Sequence, residues 1–332
     1  MTRTRTFDPS PWEDPGRIDF IGRLAAQAEP AVLAGQLLHR SEGEGYRTAA
    51  VLRAMPEERR KALARVVVER IGRGTRAGDA RRQGMVLLAV ISRGFPDAAW
   101  CEEWNALLED RARRWYSSGT SDELPALAEA LLDAGRPLSG EVVGLLRRSA
   151  YDGCLDWAGM LLDRLPEPPL NPGELWSDRA LAELPQLGVS WRRLIPHLRD
   201  AKPAPSARWD RTTAAVLDGI DPEAVRRTVT PWLALATHGG SAQSAGHDPW
   251  NVTAVRGLAW LLSSPALPPH PETVRTLGAL VERSPVKSVV AGAGVRALAR
   301  LEGGAGQAEL RRLAGSVGHT VTRRQVRSAL TG

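Results

Sequence analysis

The chain has 332 residues and a mass of 35.9 kDa, with 44 Lys and Arg against 38 Asp and Glu, a formal charge of +6. Hydrophobic residues make up 43%, charged residues 25% and aromatics 5%. That balance is globular, and it excludes collagen, coiled-coil rods and wholesale disorder. The length suits one large domain, two ordinary ones or a repeat array.

The first segment, 1–16, is polar, rich in Thr, Arg and Pro, and reads as a flexible N-terminus. It lacks the apolar stretch of a secretory signal. No apolar run approaches the ~20 residues of a membrane span. A cytoplasmic protein is expected. Cys101 and Cys154 are too few for a disulfide framework and fall in apolar-periodic stretches, so both read as buried free thiols.

From residue 17 onward the dominant period is helical. Leu124, Leu127, Leu131 and Leu132 recur at three- and four-residue spacing. Leu155, Ala158, Leu161, Leu162 and Leu165 repeat the pattern, as do Val274, Leu277, Leu280 and Val281. Residues three or four apart share a helix face, so each segment carries one apolar stripe that needs a neighbour. The punctuation agrees. Asp221-Pro222, Asp248-Pro249 and Ser284-Pro285 look like capped helix starts. Thr120 with Glu123, and Asn171 with Glu174, have the spacing of a capping box.

About seventeen helical candidates, or roughly eight pairs at ~39 residues each, come close to the period of HEAT and armadillo repeats. The expected fold is all-α: an irregular HEAT/armadillo-like α-solenoid of roughly eight helix pairs, since a pair with apolar faces on both sides closes its core only by stacking. Residues 17–164 form an N-terminal helical-repeat half. The stretch 165–173, with four Pro, reads as an extended connector. Residues 174–332 form the C-terminal HEAT-like half. Thr237 to His247 reads as a mobile loop.

The last third carries a resemblance. Pro205-Ser206-Ala207-Arg208-Trp209 opens a helix that leads to Val225–Ala236, then to Asn251–Trp260, Lys287–Leu301 and Leu310–Leu330. This series resembles the HEAT-like helical region of large bacterial proteins that carry a MolR-like domain of unknown function. It covers about residues 203–330. The resemblance implies stacked helices and transfers no catalytic residue.

Charge is placed unevenly. Only Lys61, Lys202 and Lys287 are lysines, so 41 of the 44 cations are Arg. A GC-rich genome produces that bias by itself, and it is no argument for nucleic acid. Residues 1–166 hold 24 cations and 24 anions, whereas 256–332 hold 11 and 4. The net charge therefore sits in the last quarter, which marks a docking surface for an acidic partner. Arg296, Arg300, Arg311, Arg312, Arg323, Arg324 and Arg327 are the candidate residues, because guanidinium is a bidentate donor to carboxylate or phosphate.

Tryptophan supplies 11 of the 17 aromatics. Trp100, Trp104 and Trp115 share a helix face with Leu107 and Leu108 and read as core, as does Trp157. Trp176, Trp191, Trp209 and Trp250 sit near helix starts or turns, where indoles can line a binding groove. The run Val289–Ala297 imitates a dinucleotide fingerprint, but it lacks the strand and the acid that a true one requires. It reads as close-packed helix. The six His show no metal-ligand pairing, so no metal and no cofactor are expected. Asp133, Asp156 and Asp210 are the loose catalytic candidates.

The expected function is a non-catalytic interaction scaffold for a protein partner with an acidic surface. The alternatives are a HEAT-like nucleic-acid-binding protein of DNA-repair type, and an enzyme or catalytic subunit acting on an anionic small molecule.

Overall fold

The structure is a computed structural model that describes residues 13–39, 45–73, 78–95, 99–114, 123–151, 156–165, 169–238, 247–284 and 289–331. Among these residues there are eighteen α-helices, a short 3-10 turn at Leu162–Arg164, and no strand. The chain is all-α. No helix among the described residues is long and apolar enough to cross a membrane. The chain divides into two compact units, 1–166 and 167–332, each with its own apolar core.

The first unit holds α1 (Pro15–Gln27), α2 (Pro30–Leu37), α3 (Tyr46–Arg53), α4 (Glu57–Arg73), α5 (Gly78–Ile91), α6 (Cys101–Arg114), α7 (Glu123–Asp133), α8 (Gly140–Tyr151) and α9 (Asp156–Leu161). Its odd-numbered helices pack in sequence, α1 on α3, α3 on α5, α5 on α7 and α7 on α9. On the other side α2 packs on α4 and α6 on α8. The Leu124, Leu127 and Leu131 stripe lies in α7, where all three are buried. Trp104 and Trp157 are core, and the Trp104 indole donates to the Met85 carbonyl at 3.0 Å. Trp115 and Cys154 lie outside the described residues. Cys101 is a buried free thiol, pushed up from its ordinary pKa by burial.

The second unit holds α10 (Leu175–Leu187), α11 (Val189–Arg199), α12 (Ala207–Leu217), α13 (Pro222–Ala236), α14 (Val252–Leu262), α15 (Pro271–Arg283), α16 (Val289–Arg300), α17 (Ala305–Ser316) and α18 (Thr320–Thr331). Helices α10, α13, α15 and α17 pack in succession and form one row. Helices α11, α14, α16 and α18 form the second row. The rows are tied by the pairs α10–α11, α13–α14, α15–α16 and α17–α18, while α12 packs on α11 outside this scheme.

Small residues set the spacing. A Cβ on Gly257 would overlap the Leu198 carbonyl, so α14 seats directly on the backbone of α11. A Cβ on Gly294 would lie 2.7 Å from Val281 Cγ2. The fingerprint-like run is thus the packing face of α16 against α15.

Helix starts follow cap chemistry where the cap is local. Asp221 accepts from the Glu223 and Ala224 N–H groups, each at 3.2 Å, with Pro222 at the first helical position. Ser206 caps α12 through the Trp209 N–H. Two expected starts differ, and a third falls partly outside the described residues. Asp248 caps only a turn, and α14 begins later, at Val252. The Ser284 hydroxyl donates back to the Leu280 carbonyl of α15, and Pro285 lies outside the described residues. Asn171 and Glu174 form no capping box, because both side chains turn inward to partners some 75–80 residues away. Thr120 lies outside the described residues. Of the Pro-rich segment, 166–168 lie outside the described residues, and Leu170 and Asn171 are buried in the second unit.

Candidate functional site

The two rows of the second unit divide the charge. Row one (α10, α13, α15, α17) carries six acids and seven Arg. Row two (α11, α14, α16, α18) carries nine Arg, no Lys and no acid. The row-two residues are Arg192, Arg193 and Arg199 on α11, Arg256 on α14, Arg296 and Arg300 on α16, and Arg323, Arg324 and Arg327 on α18.

Row one nearly balances its charge, and four of its arginines meet acids. Arg179 pairs with Glu183 at 2.7 Å. Arg226 pairs with Glu223 and, at 2.8 Å, with Glu272. Arg312 meets Glu309 at 2.7 Å and Glu282 at 3.3 Å. These carboxylates hold the Arg226 and Arg312 guanidiniums above their ordinary pKa, and hydrogen bonds from Arg226 and Arg312 in turn hold Glu223 and Glu282 below theirs.

Row two disposes of its arginines differently. Arg256 donates to the Ala201 carbonyl, Arg296 to the Pro203 carbonyl, and Arg323 to the carbonyls of Val317 and Gly318. A carbonyl satisfies the N–H groups and leaves the positive charge in place. Burial, and then the charge of Arg296, draw Arg256 below its ordinary pKa. Arg300 meets Asp210 on α12 at 2.6 Å. Arg192, Arg193, Arg324 and Arg327 are exposed and take no side-chain partner among the described residues.

Three of these arginines fasten one segment. Residues 201–210 cross α14 and α16, held by Arg256, Arg296 and Arg300 and by the Trp260 indole, which donates to the Lys202 carbonyl at 3.1 Å. This strap and α12 add exposed Lys202, Arg208 and Arg211 to the face, together with exposed Asp218 and the half-buried, paired Asp210, and Asp200 is exposed at the end of α11.

The seven arginines expected to form one ridge therefore separate into three groups. Arg296 and Arg300 hold the strap. Arg311 and Arg312 stand on α17 in row one, with Arg312 neutralised. Arg323, Arg324 and Arg327 belong to the row-two face. Sequence reading missed Arg192 and Arg193, which lie outside the basic last quarter.

The groove placement of the tryptophans is corrected. Trp176, Trp191 and Trp209 are buried, because their rings fill the gaps between helices. Trp191 packs edge-on to Trp232, and Trp209 stacks on His197 with centroids 3.8 Å apart. Trp250 is partly buried before α14.

The buried acids are engaged as acceptors. Glu174, fully buried, receives Asp248 N–H at 3.0 Å, Asn251 Nδ2 at 2.8 Å and the Trp176 indole at 3.1 Å, with His247 Nδ1 at 3.3 Å. Asp248 receives Asn171 Nδ2 and the Trp250 N–H, each at 2.8 Å. In the first unit Glu129 meets Arg53 at 2.7 Å, Arg93 at 3.1 Å and the Trp157 indole at 2.9 Å. Asp133 pairs with Arg93 and, at 2.7 Å, with Arg164. Of the loose catalytic candidates, Asp133 and Asp210 are thus ion-paired, and the side chain of Asp156 lies outside the described residues. No group of three His, Cys, Asp or Glu placed to hold a metal ion occurs among the described residues.

A groove of about 780 Å³ opens between α15 and α17, lined by Pro271, Val274, Arg275, Glu302, Ala308 and Arg312 among others. Its charges are mixed, unlike those of row two. Comparison with family models, curated proteins and solved structures returns no match, so no relative supplies a function.

Proposed function

We propose that this chain is a non-catalytic, cytoplasmic interaction scaffold. It is a HEAT/armadillo-like α-solenoid of roughly eight helix pairs, and it docks an anionic macromolecule on the row-two face of its second unit. The observation that carries this reading is the sorting of charge: nine Arg and no acid on four adjacent helices, beside a row that sets six acids against seven Arg and pairs several of them. The resemblance of residues 203–330 to the helical region of MolR-like bacterial proteins is compatible with this role. Sorting sharpens the earlier expectation of an acidic partner, because four adjacent helices that carry Arg and no carboxylate favour a strongly anionic partner, even with Asp200 and Asp218 exposed nearby.

Elution from a phosphate-bearing cation-exchange resin tests the reading. Replacing Arg192, Arg193, Arg324 and Arg327 by Glu should release the protein at much lower salt. The same four-charge reversal in row one, at Arg227, Arg275, Arg283 and Arg311, should shift elution far less. Equal shifts would mean that net charge, and not a face, governs retention.

A further inference from the structure

We infer that the ligand of the row-two face is the sugar-phosphate backbone of a nucleic-acid duplex. The inference rests on the reading above and specifies its partner. Four observations converge on it. The first is sign. A protein surface mixes charges even where it is acidic, and a face complementary to it carries both signs. A polyphosphate is anionic everywhere, and row two offers guanidinium without a single carboxylate on its helices.

The second observation is that part of the row's charge is held on carbonyls and is not cancelled by acids. Arg256, Arg296 and Arg323 spend N–H groups on carbonyls and keep their charge. Burial and the neighbouring Arg296 both disfavour the charged form of Arg256, and an anion in front of the two would relieve that repulsion.

The third is span. The exposed arginines with no partner among the described residues stand on the first and last helices of the row, Arg192 and Arg193 on α11, Arg324 and Arg327 on α18, while exposed Arg296 on α16 holds the strap. Adjacent packed helices lie ~9 Å apart, so three steps cover roughly 27 Å. One turn of duplex rises about 34 Å. Lys202, Arg208 and Arg211 lie exposed on the strap and α12, which cover α11, α14 and α16, and they outnumber the exposed Asp200 and Asp218.

The fourth selects duplex over single strand. Single strands are held by bases stacked on exposed aromatic rings. The six aromatics of the second unit are all Trp; five are buried and Trp250 is partly so. Among the described residues, the large exposed apolar side chains of this unit are Leu175, Val189 and Val289, all aliphatic. A face of guanidinium without rings reads backbone and not bases, so binding should be indifferent to sequence.

Fluorescence anisotropy with a labelled DNA duplex of ~20 bp and arbitrary sequence tests this. If the four exposed arginines each displace a counterion, log Kd should change with log salt at a slope of magnitude about 3 to 4, and affinity should fall roughly 100-fold between ~50 and ~200 mM salt. A single strand of the same length should bind several-fold more weakly. The R192E/R193E/R324E/R327E variant should lose at least ~50-fold, with its thermal unfolding followed in parallel. If it does not fold, R324Q/R327Q should lower the slope by about 2. Polyglutamate of matched charge separates the two levels of the account. Binding of polyglutamate without duplex overturns the nucleic-acid assignment and leaves an acidic protein partner standing. Binding of neither overturns both. Duplex binding that survives the substitutions overturns the face.

Discussion

Arg300 Nη2 donates to Asp210 Oδ1 at 2.6 Å, and this pair joins α16 to the first turn of α12 across 90 residues of sequence. It closes the strap that Arg256 and Arg296 begin. Asp210→Ala would leave the half-buried Arg300 without its acid. The pair is partly exposed, so the expected loss is about 1 kcal/mol, read as a lower urea midpoint at unchanged m. Adding Arg296→Ala should cost less than the sum of the two single losses, since both side chains hold one segment. Strict additivity would show that the strap is not one unit.

The Glu174 carboxylate stands at the centre of the network that joins the start of α10 to the start of α14. Glu174→Gln places an amide where only acceptors are satisfied, and it sets N–H against N–H. Leaving buried donors unpaired in this way should cost about 2–4 kcal/mol. Glu183→Gln is the comparison. Glu183 also accepts from an indole, that of Trp232 at 2.7 Å, but its side chain is one-third exposed. It should cost about 1 kcal/mol or less. Equal losses would mean that the Glu174 network contributes nothing special.

Burial holds His197 below its ordinary pKa, against a smaller opposing pull from Asp200. The unfolded chain therefore takes up this proton first as pH falls. Stability from this residue is complete above the unfolded value near 6.5 and is lost as pH drops below it, at up to about 1.4 kcal/mol per pH unit. His197→Gln should start less stable, having lost the stacking on Trp209, and should lack this slope. A variant with the wild-type slope would place the titration elsewhere.

How much of this was legible in the sequence depends on how local each interaction is. The α7 stripe of Leu124, Leu127 and Leu131 and the Asp221-Pro222 cap are settled within one helix, and both read correctly. Asn171 and Glu174 have capping-box spacing, yet Asp248 and Asn251, 77–80 residues later, decide where they point. Arg296 and Arg300 are indeed neighbours on one helix face, but their partners Pro203 and Asp210 lie 90 or more residues earlier. The tryptophans near helix starts read as groove candidates because chain position does not reveal depth.

The charge sorting was present in the letters, since the segments of α11, α14, α16 and α18 contain no Asp or Glu. It stayed hidden because α12 breaks the alternation of the rows, so that parity along the chain no longer assigns a helix to its side. Counting by position placed the basic surface in the last quarter; counting by row adds Arg192 and Arg193 from α11.

The most direct measurement is arginine footprinting: dicarbonyl labelling of the protein with and without bound duplex, mapped by mass spectrometry. Arg192, Arg193, Arg324 and Arg327 should be protected together, while Arg227, Arg275, Arg283 and Arg311 of row one keep their reactivity. Protection of the row-one set with row two still labelled would contradict the account.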